Sequence, residues 1–339
     1  MPLLGSDGTA GKDTHVEDQR LQEFVDHFAR VKREVLKHIV GYDDLVEKTM
    51  LCLFADGHVL LEGLPGLGKT KMLQCLAKAI DASFARIQFT PDLMPADIIG
   101  TNIVMEGDDG RKSFQFHAGP VFNSVILADE INRATPKTQS ALLEAMQERT
   151  VSVGGTTREL ERPFFVLGTQ NPIEMEGTYP LPEAQVDRFM FKLHVPHLDE
   201  DSLVEVVKRT EKAEPLDIAP VIRPEDILRM GALAKDVLVA EHVNRFAVRV
   251  ARATHADDAN APELTKKYVK YGASPRGIQA MIYTGKVKAL LSGRVNLSED
   301  DVRFVARPAL RHRILLNFEG EADGIRTDAV IDSILGGMS

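Results

Sequence analysis

Apolar residues fall at Leu21, Phe24, Val25, Phe28, Val31, Val35 and Leu36, three and four apart. This spacing predicts a helix over 21–40, with Gly41 as its stop. A second helical pattern over 44–54 runs into His58-Val-Leu-Leu-Glu62, a short continuous apolar run followed by a glycine-rich turn. A run of that kind predicts a parallel strand buried on both faces. The same texture returns at 84–89, 124–128 and 164–169, and more weakly at 190–195, with helical stretches between. Such alternation predicts a parallel sheet covered on both faces by helices. Beyond Pro196 the strands stop, and helices are expected over 200–212, 225–235, 243–254, 275–291 and 299–314. Ser298 followed three residues later by Asp301 fits a capping box at the last of these. The fold class expected is therefore α/β, a parallel-sheet core carrying two hairpin inserts, followed by an all-α domain. The divisions fall at 1–19 (a flexible tail), 20–198 (the core) and 199–339 (the helical domain).

Composition narrows this picture without redirecting it. The chain has 339 residues, 44% hydrophobic and 27% charged, ample for a core and a smaller second domain. A net charge of −9 argues against broad, non-specific binding to nucleic acid, which relies on Lys and Arg neutralising phosphates. Cys52 and Cys75 lie among apolar residues and read as buried, reduced thiols rather than a disulfide. No run reaches the roughly 18 apolar residues of a membrane span. The polar, Gly-rich start reads as a loose tail rather than a signal peptide, so the cytoplasm is the expected location.

The chemistry is concentrated after the first strand. Gly63, Leu64, Pro65, Gly66, Leu67, Gly68, Lys69 and Thr70 match the phosphate-binding loop pattern in its required setting of strand, loop and helix. Glycines let successive backbone N–H groups curl inward, and the following helix adds the positive end of its dipole. Lys69 would reach the β- and γ-phosphates of ATP, and the Thr70 hydroxyl would ligate Mg2+. Such a loop needs a second strand ending in an acid. Val125-Ile-Leu-Ala-Asp129-Glu130 supplies two carboxylates at a strand's C-terminal end, where open sheets bind ligands. Asp129 would orient the metal, and Glu130 would take the attacking water's proton. Read alone, the same pair could cap the next helix.

These motifs, in this order, resemble the AAA+ ATPases, and the stretch 40–191 resembles the MoxR family in particular. The likeness is carried by the phosphate loop, by Thr90-Pro-Asp-Leu-Met-Pro-Ala-Asp-Ile-Ile-Gly100 and by Leu127-Ala-Asp-Glu-Ile-Asn-Arg-Ala134. Gly168-Thr-Gln-Asn-Pro172 and Glu176-Gly-Thr-Tyr-Pro-Leu-Pro-Glu-Ala-Gln-Val-Asp-Arg-Phe189 extend it. Ser274-Pro-Arg-Gly277 and Ala306-Arg-Pro-Ala-Leu-Arg-His-Arg313 resemble the family's helical lid. The resemblance implies roles for further residues. Asn171 becomes the sensor at the tip of the fourth strand, where a neutral amide can orient water without competing for its proton, although Asn-Pro is also a turn signal. Arg188 becomes an arginine finger aimed at the neighbouring subunit's nucleotide. On sequence grounds alone, pairing with Asp187 or Glu183 is an equal reading.

Arg276 sits just inside a helix start capped by Ser274, an unfavourable place for a cation unless an anion lies near. The resemblance makes it a second sensor, reaching from the lid to the phosphates and freeing the lid when nucleotide leaves. Val40 and Gly41 resemble the turn that contacts adenine. The two inserts, strands near 101–105 with 113–116 and a hairpin over 150–160, are implied to face the ring axis or a partner. Their tips are acidic or Gly/Thr-rich, which favours a protein client over nucleic acid. The ten histidines form no metal-ligand spacing. The expected function is thus ATP hydrolysis in a ring, implied by resemblance to be a hexamer, that remodels, matures or inserts metal into a client protein. A von Willebrand factor A-type partner is implied likewise. A nucleic-acid motor and a slow ATP-dependent switch are the alternatives on the same core.

Overall fold

The computed structural model describes residues 10–63, 68–106, 112–171, 178–211 and 217–338. Its N-terminal part runs α1 (Ala10–Leu36), α2 (Asp43–Phe54), β1 (Val59–Glu62), α3 (Lys69–Ala79), β2 (Phe84–Gln88) and α4 (Pro95–Ile99). It continues with β3 (Gly100–Glu106), β4 (Lys112–Ala118), β5 (Val125–Asp129), α5 (Pro136–Glu148), β6 (Thr150–Val153) and β7 (Thr156–Glu159). It ends with β8 (Phe165–Gln170), α6 (Glu183–Val186) and β9 (Phe191–His194). The five strands β2-β5-β8-β1-β9 form one sheet in that order, and every pairing in it is parallel. The inserts are the antiparallel hairpins β3–β4 and β6–β7.

Side chains alternate across this sheet, and the alternation sorts the interior into two cores. Val59, Leu61, Val125, Leu127, Phe165 and Leu167 point to one face, where residues of α1, α2 and α3 cover them. Leu60, Ile126, Ala128 and Val166 point to the other, against Leu142, Leu143 and Met146 of α5. Each fully buried Leu, Val or Phe contributes roughly 1.5–3 kcal/mol relative to exposure. Double-sided burial explains why these strands read as continuous apolar runs.

The C-terminal part comprises α7 (Glu200–Glu211), α8 (Pro224–Asp236), α9 (Glu241–Arg252), α10 (Glu263–Tyr268), β10 (Val269–Tyr271) and α11 (Pro275–Leu291). After these come α12 (Glu299–Leu310), β11 (Leu315–Leu316), α13 (Phe318–Ala322) and α14 (Thr327–Gly336). The capping box is present: Ser298 Oγ accepts from the Asp301 N–H, and Asp301 accepts in return from the Ser298 N–H. Three expectations need adjusting. The first described helix reaches back to Ala10, so 10–19, expected as loose tail, is helical. That helix stops at Leu36 rather than at Gly41, which lies in the turn before α2. The helical part also holds one short antiparallel ladder, β10 with β11, whose strands of three and two residues are too short to announce themselves in the sequence.

The lid is bolted to the core. Met281, Leu290, Val250, Phe246, Val305 and Leu310 belong to the same continuous apolar cluster as α1–α3 and one face of the sheet. At the seam, buried Arg313 donates from Nε to Asp187 Oδ1 at 2.7 Å and from Nη2 to the carbonyls of Asp187 (3.0 Å) and Phe189 (2.8 Å). Ser274 Oγ donates to the same carboxylate, and His312 Nε2 lies 3.0 Å from the Phe189 carbonyl. Burial draws the Arg313 guanidinium below its ordinary range, and Asp187 opposes that shift. Asp187→Asn would strand a buried cation, a loss on the order of 3–5 kcal/mol that thermal or urea unfolding would read as a clear drop in stability.

Two histidines set the acid limit. His58 is fully buried between the Met146 carbonyl (3.2 Å) and the Val166 N–H (3.1 Å), and desolvation lowers its pKa to about 4. His312 is lowered well below the usual value, again by burial first. Both are therefore held neutral in the fold, while the unfolded chain takes up protons near pH 6.5. Their stabilisation is complete above pH 6.5 and is lost as pH falls toward 4. Glu62 is lowered to about 2 because bonds to His194 and Lys192 outweigh its desolvation, so its contribution survives to pH 4.5 and is lost below. Melting temperature measured from pH 8 to 4 should hold and then fall through the histidine window. His58→Gln should flatten that fall.

Candidate nucleotide site at one end of the sheet

Parallel pairing brings the C-terminal ends of β1, β8 and β5 together. Glu62 lies beside Gln170, and the Gly63 N–H donates to the Gln170 carbonyl at 3.2 Å. Asn171 follows β8 directly and is buried there, next to the start of the phosphate loop. Residues Leu64, Pro65, Gly66 and Leu67 lie outside the described residues. On the loop's far side Gly68 caps α3 with φ of +75°, a left-handed conformation that suits glycine. The first turn of α3 carries no acidic residue, and Gly68 offers no side-chain cap. Its N–H groups are thus left to an anion. Lys69 opens this helix, and its Nζ donates to the Gly63 carbonyl at 2.7 Å. Burial lowers the Lys69 pKa, while Asp129 and Glu130 pull it back up. Thr70 comes next on the same turn.

Asp129 ends β5, and Glu130 follows in the left-handed region at φ 56° and ψ 49°. That conformation costs on the order of 1 kcal/mol or more in a non-glycine residue, and it turns the second carboxylate away from the strand direction. A hub absent from the sequence reading holds both acids. Buried Thr169 donates from Oγ1 to Asp129 Oδ1 at 2.6 Å and accepts the Glu130 N–H at 2.8 Å. Asp129 Oδ2 accepts from Arg86 Nη2 (2.7 Å) and Nε (3.2 Å). Glu130 Oε2 accepts from Gln88 Nε2 (2.9 Å) and Arg133 Nη1 (3.0 Å). Signals for these residues were present in the sequence. Arg86 and Gln88 are the polar alternates of β2, and Thr169 is a hydroxyl that follows an apolar run in β8.

The donor set suits Mg2+. Among the described residues no group of three or more His, Cys, Asp or Glu could cage a metal by itself. A cation beside Asp129 and Thr70 would be completed by phosphate oxygens and water, which is how magnesium is held. Val40 is half-buried and Gly41 lies between α1 and α2 at φ +76°. A Cβ on Gly41 would come within 2.6 Å of the Leu198 side chain and 2.9 Å of Ser202 Oγ, so a larger residue would have to push these side chains aside at the start of α7, besides bearing the strain of the positive φ.

Arg188 and Arg276 are elsewhere. Phe191 pairs with Val59 at the N-terminal end of β1, and the Met190 N–H donates to the His58 carbonyl. Arg188 therefore lies at the opposite end of β1 from Gly63, on the order of 13 Å away along the strand at about 3.3 Å per residue. Arg188, Arg276, Arg149 and Arg313 share a cleft of about 210 Å³ with Asp56 and Asp187. Arg276 Nη1 is 3.6 Å from Asp187 Oδ2, and the Arg276 N–H donates to Ser274 Oγ at 3.2 Å. Arg188 Nε is buried without a hydrogen-bond partner. Within its own chain, Arg276 thus lies away from the phosphate loop, beside Asp187. Its lid helix is fastened at the arginine end of the sheet by Arg313 and Asp187.

Residues 58–191 match the model of the ATPase family associated with various cellular activities (AAA), and residues 261–334 match the AAA lid domain. The chain is 43% identical to Chaperone MoxR1 of Mycobacterium tuberculosis, covering 89% of this chain and 79% of that one. It is 31% identical to Protein MoxR of Methylorubrum extorquens, covering 88% and 90%. A crystal structure from Cytophaga hutchinsonii, described as a candidate ATPase, superposes with a TM-score of 0.89 at 39% identity over 98% of this chain and 99% of that one. With an all-parallel five-stranded core, a helical lid and relatives of this extent, the chain belongs to the MoxR family of AAA+ ATPases.

Proposed function

We propose that this protein hydrolyses ATP with Mg2+ in a ring of identical subunits and uses the cycle to remodel a client protein. The core would span 20–198 and the lid 199–339. The observation that carries the reading is the split site. Lys69, Asp129 and Glu130 occupy one end of the sheet, and Arg188 with Arg276 occupies the other, in a cleft where the Nε of Arg188 is unsatisfied. One chain cannot bring the two halves together. A second copy, placed head to tail, can, and a repeated heterologous contact closes into a ring. The family resemblance suggests six subunits.

In this reading Lys69 and the N–H groups opening α3 hold the β- and γ-phosphates. Asp129 and Thr70 would hold magnesium, which when bound would neutralise charge developing on the phosphates. Glu130 takes the proton of the attacking water, and the Asn171 amide orients that water. Arg188 of the partner subunit balances the γ-phosphate, a contribution on the order of 10³–10⁵ in rate. Arg276 of the partner subunit joins it from the same cleft. The hairpins supply the client surface. Val104 faces Phe114 across β3–β4, Phe114 is 80% exposed, and Arg158 of β7 stacks 3.8 Å over Phe116. The first hairpin's tip, 107–111, lies outside the described residues. An exposed apolar pair suits polypeptide better than phosphate backbone. A von Willebrand factor A-type partner and metal insertion rest on the resemblance alone. No helix among the described residues is long and apolar enough to cross a membrane, and we place the protein's work in the cytoplasm.

Glu130→Gln should keep nucleotide binding and lower turnover by about 10² or more, checked by parallel binding and phosphate-release assays. Arg188→Ala should be inactive alone. Mixed equally with Lys69→Ala protein it should recover activity, because about a quarter of randomly formed interfaces would pair an intact loop with an intact arginine. Arg276→Ala should be rescued by the same partner. Failure of every mixture would overturn the shared site.

A further inference from the structure

A surface helix ordinarily turns its apolar residues inward, and α7 does the reverse. It meets the rest of the chain through Ser202, which lies against Gly41, and through Arg209, whose Nη1 donates to the Lys37 carbonyl at 2.6 Å. Glu205 accepts from the Nε of the same arginine at 2.7 Å. Ser202, Glu205 and Arg209 share one side of the helix; Leu203, Val204 and Val207 share the other. Those three are 50%, 46% and 56% exposed. Glu200 and Glu211 lie on the same side, one at each end, and both are exposed. The outward surface of α7 is thus an apolar stripe closed by a carboxylate at either end. A stripe of that kind marks a surface that another molecule covers.

A matching seat lies across the molecule. Between α8, α11 and the residues just before β1 and β9 is a cavity of about 330 Å³. Met190, Gly231, Ala234 and Tyr283 give it apolar walls, and Lys235 and Lys286 give it positive charge. Lys286 reaches from α11 to donate to the Lys235 carbonyl of α8 at 2.7 Å, which keeps the two lysines at one place. Asp56 also lines the cavity, but Arg149 Nη1 already holds its carboxylate at 2.7 Å. Apolar walls with cations are the complement of an apolar stripe with anions.

The two surfaces stand at opposite ends of the sheet. α7 follows β9 beyond His194, which pairs with Glu62 at the phosphate end. The cavity shares Asp56, Met190 and Tyr283 with the arginine cleft at the other end. A head-to-tail contact that carries a partner's arginine cleft to this chain's phosphate loop therefore carries the partner's cavity toward this chain's α7. One placement serves both, and it is heterologous, so it repeats around a ring.

We propose that α7 docks on a second copy of this chain: Leu203, Val204 and Val207 enter the cavity between α8 and α11 of the adjacent subunit, and Glu200 and Glu211 meet the lysines there. The inference rests on the ring reading above and deepens it by naming the surfaces that hold neighbours together.

The test is the assembly of the full chain with Mg2+ and a non-hydrolysable ATP analogue, followed by sedimentation over a range of protein concentrations. Val207→Glu puts a charge where the side chain already meets water. The folded chain should keep its melting temperature and its binding of fluorescent ADP, while the concentration for half-assembly rises about tenfold or more. Leu203→Glu, the second variant, should do the same. Lys235→Glu with Lys286→Glu should weaken assembly likewise, and adding Glu200→Lys and Glu211→Lys to that chain should restore it in part. Val207→Glu and Leu203→Glu proteins that assemble at the unaltered concentration overturn the proposal and leave the ring standing. A charge-swapped chain that assembles no better than the double lysine variant overturns it too. A wild-type chain that stays monomeric with nucleotide at every concentration removes the ring and the docking helix together.

Discussion

The parallel pairing of β9 with β1 governs everything that this molecule can do. Pairing in that sense puts Glu62 and the phosphate loop at one end and His58, Met190 and the arginines at the other. An antiparallel β9 would have returned Arg188 to the phosphate end. With the observed polarity, Lys69, Asp129 and Glu130 stand at one end of the sheet and Arg188 with Arg276 at the other, and the distance between them is set by strand rise rather than by flexible side chains.

Polarity alone would not fix Arg276, which belongs to a different set of helices. Its place depends on Arg313, whose donors close on Asp187, Phe189 and Met190 and hold the start of α11 beside Arg188. A buried guanidinium with five directional donors suits this task, because it can satisfy several main-chain carbonyls and a carboxylate at once. The cost of burying it is offset only while Asp187 stays charged. The same aspartate receives Ser274, so the lid's helix cap and its anchor share one acceptor.

Much of this was legible in the chain. The strands that build the phosphate end are continuous apolar runs because both their faces are buried, and Asp129 and Glu130 stand out as two charges closing such a run. The P-loop pattern located Lys69 at a helix start, and Ser298 with Asp301 located another. What the sequence hid was set by distance along the chain. The Arg313–Asp187 bond joins residues 126 apart, and no local pattern announces it. The β10–β11 ladder and the short helices α10 and α13 owe their form to tertiary contacts, too short for periodicity to declare. Thr169, Arg86 and Gln88 were visible as polar residues in strands, but only the register of β2, β5 and β8 makes them neighbours of Asp129 and Glu130.

The single apolar cluster that joins lid and core also bears on how neighbouring sites communicate. α11 carries Arg276 in its first turn, packs against α1 and α2, and through α1 meets α3, the helix that presents Lys69. Close-packed interiors are stiff and pass displacement on rather than absorbing it. A tug on Arg276 from an adjacent subunit's phosphates would therefore travel down this stack to the loop that holds the chain's own. In the ring proposed above, such a linkage would let each hydrolysis event act as the mechanical cue for the next.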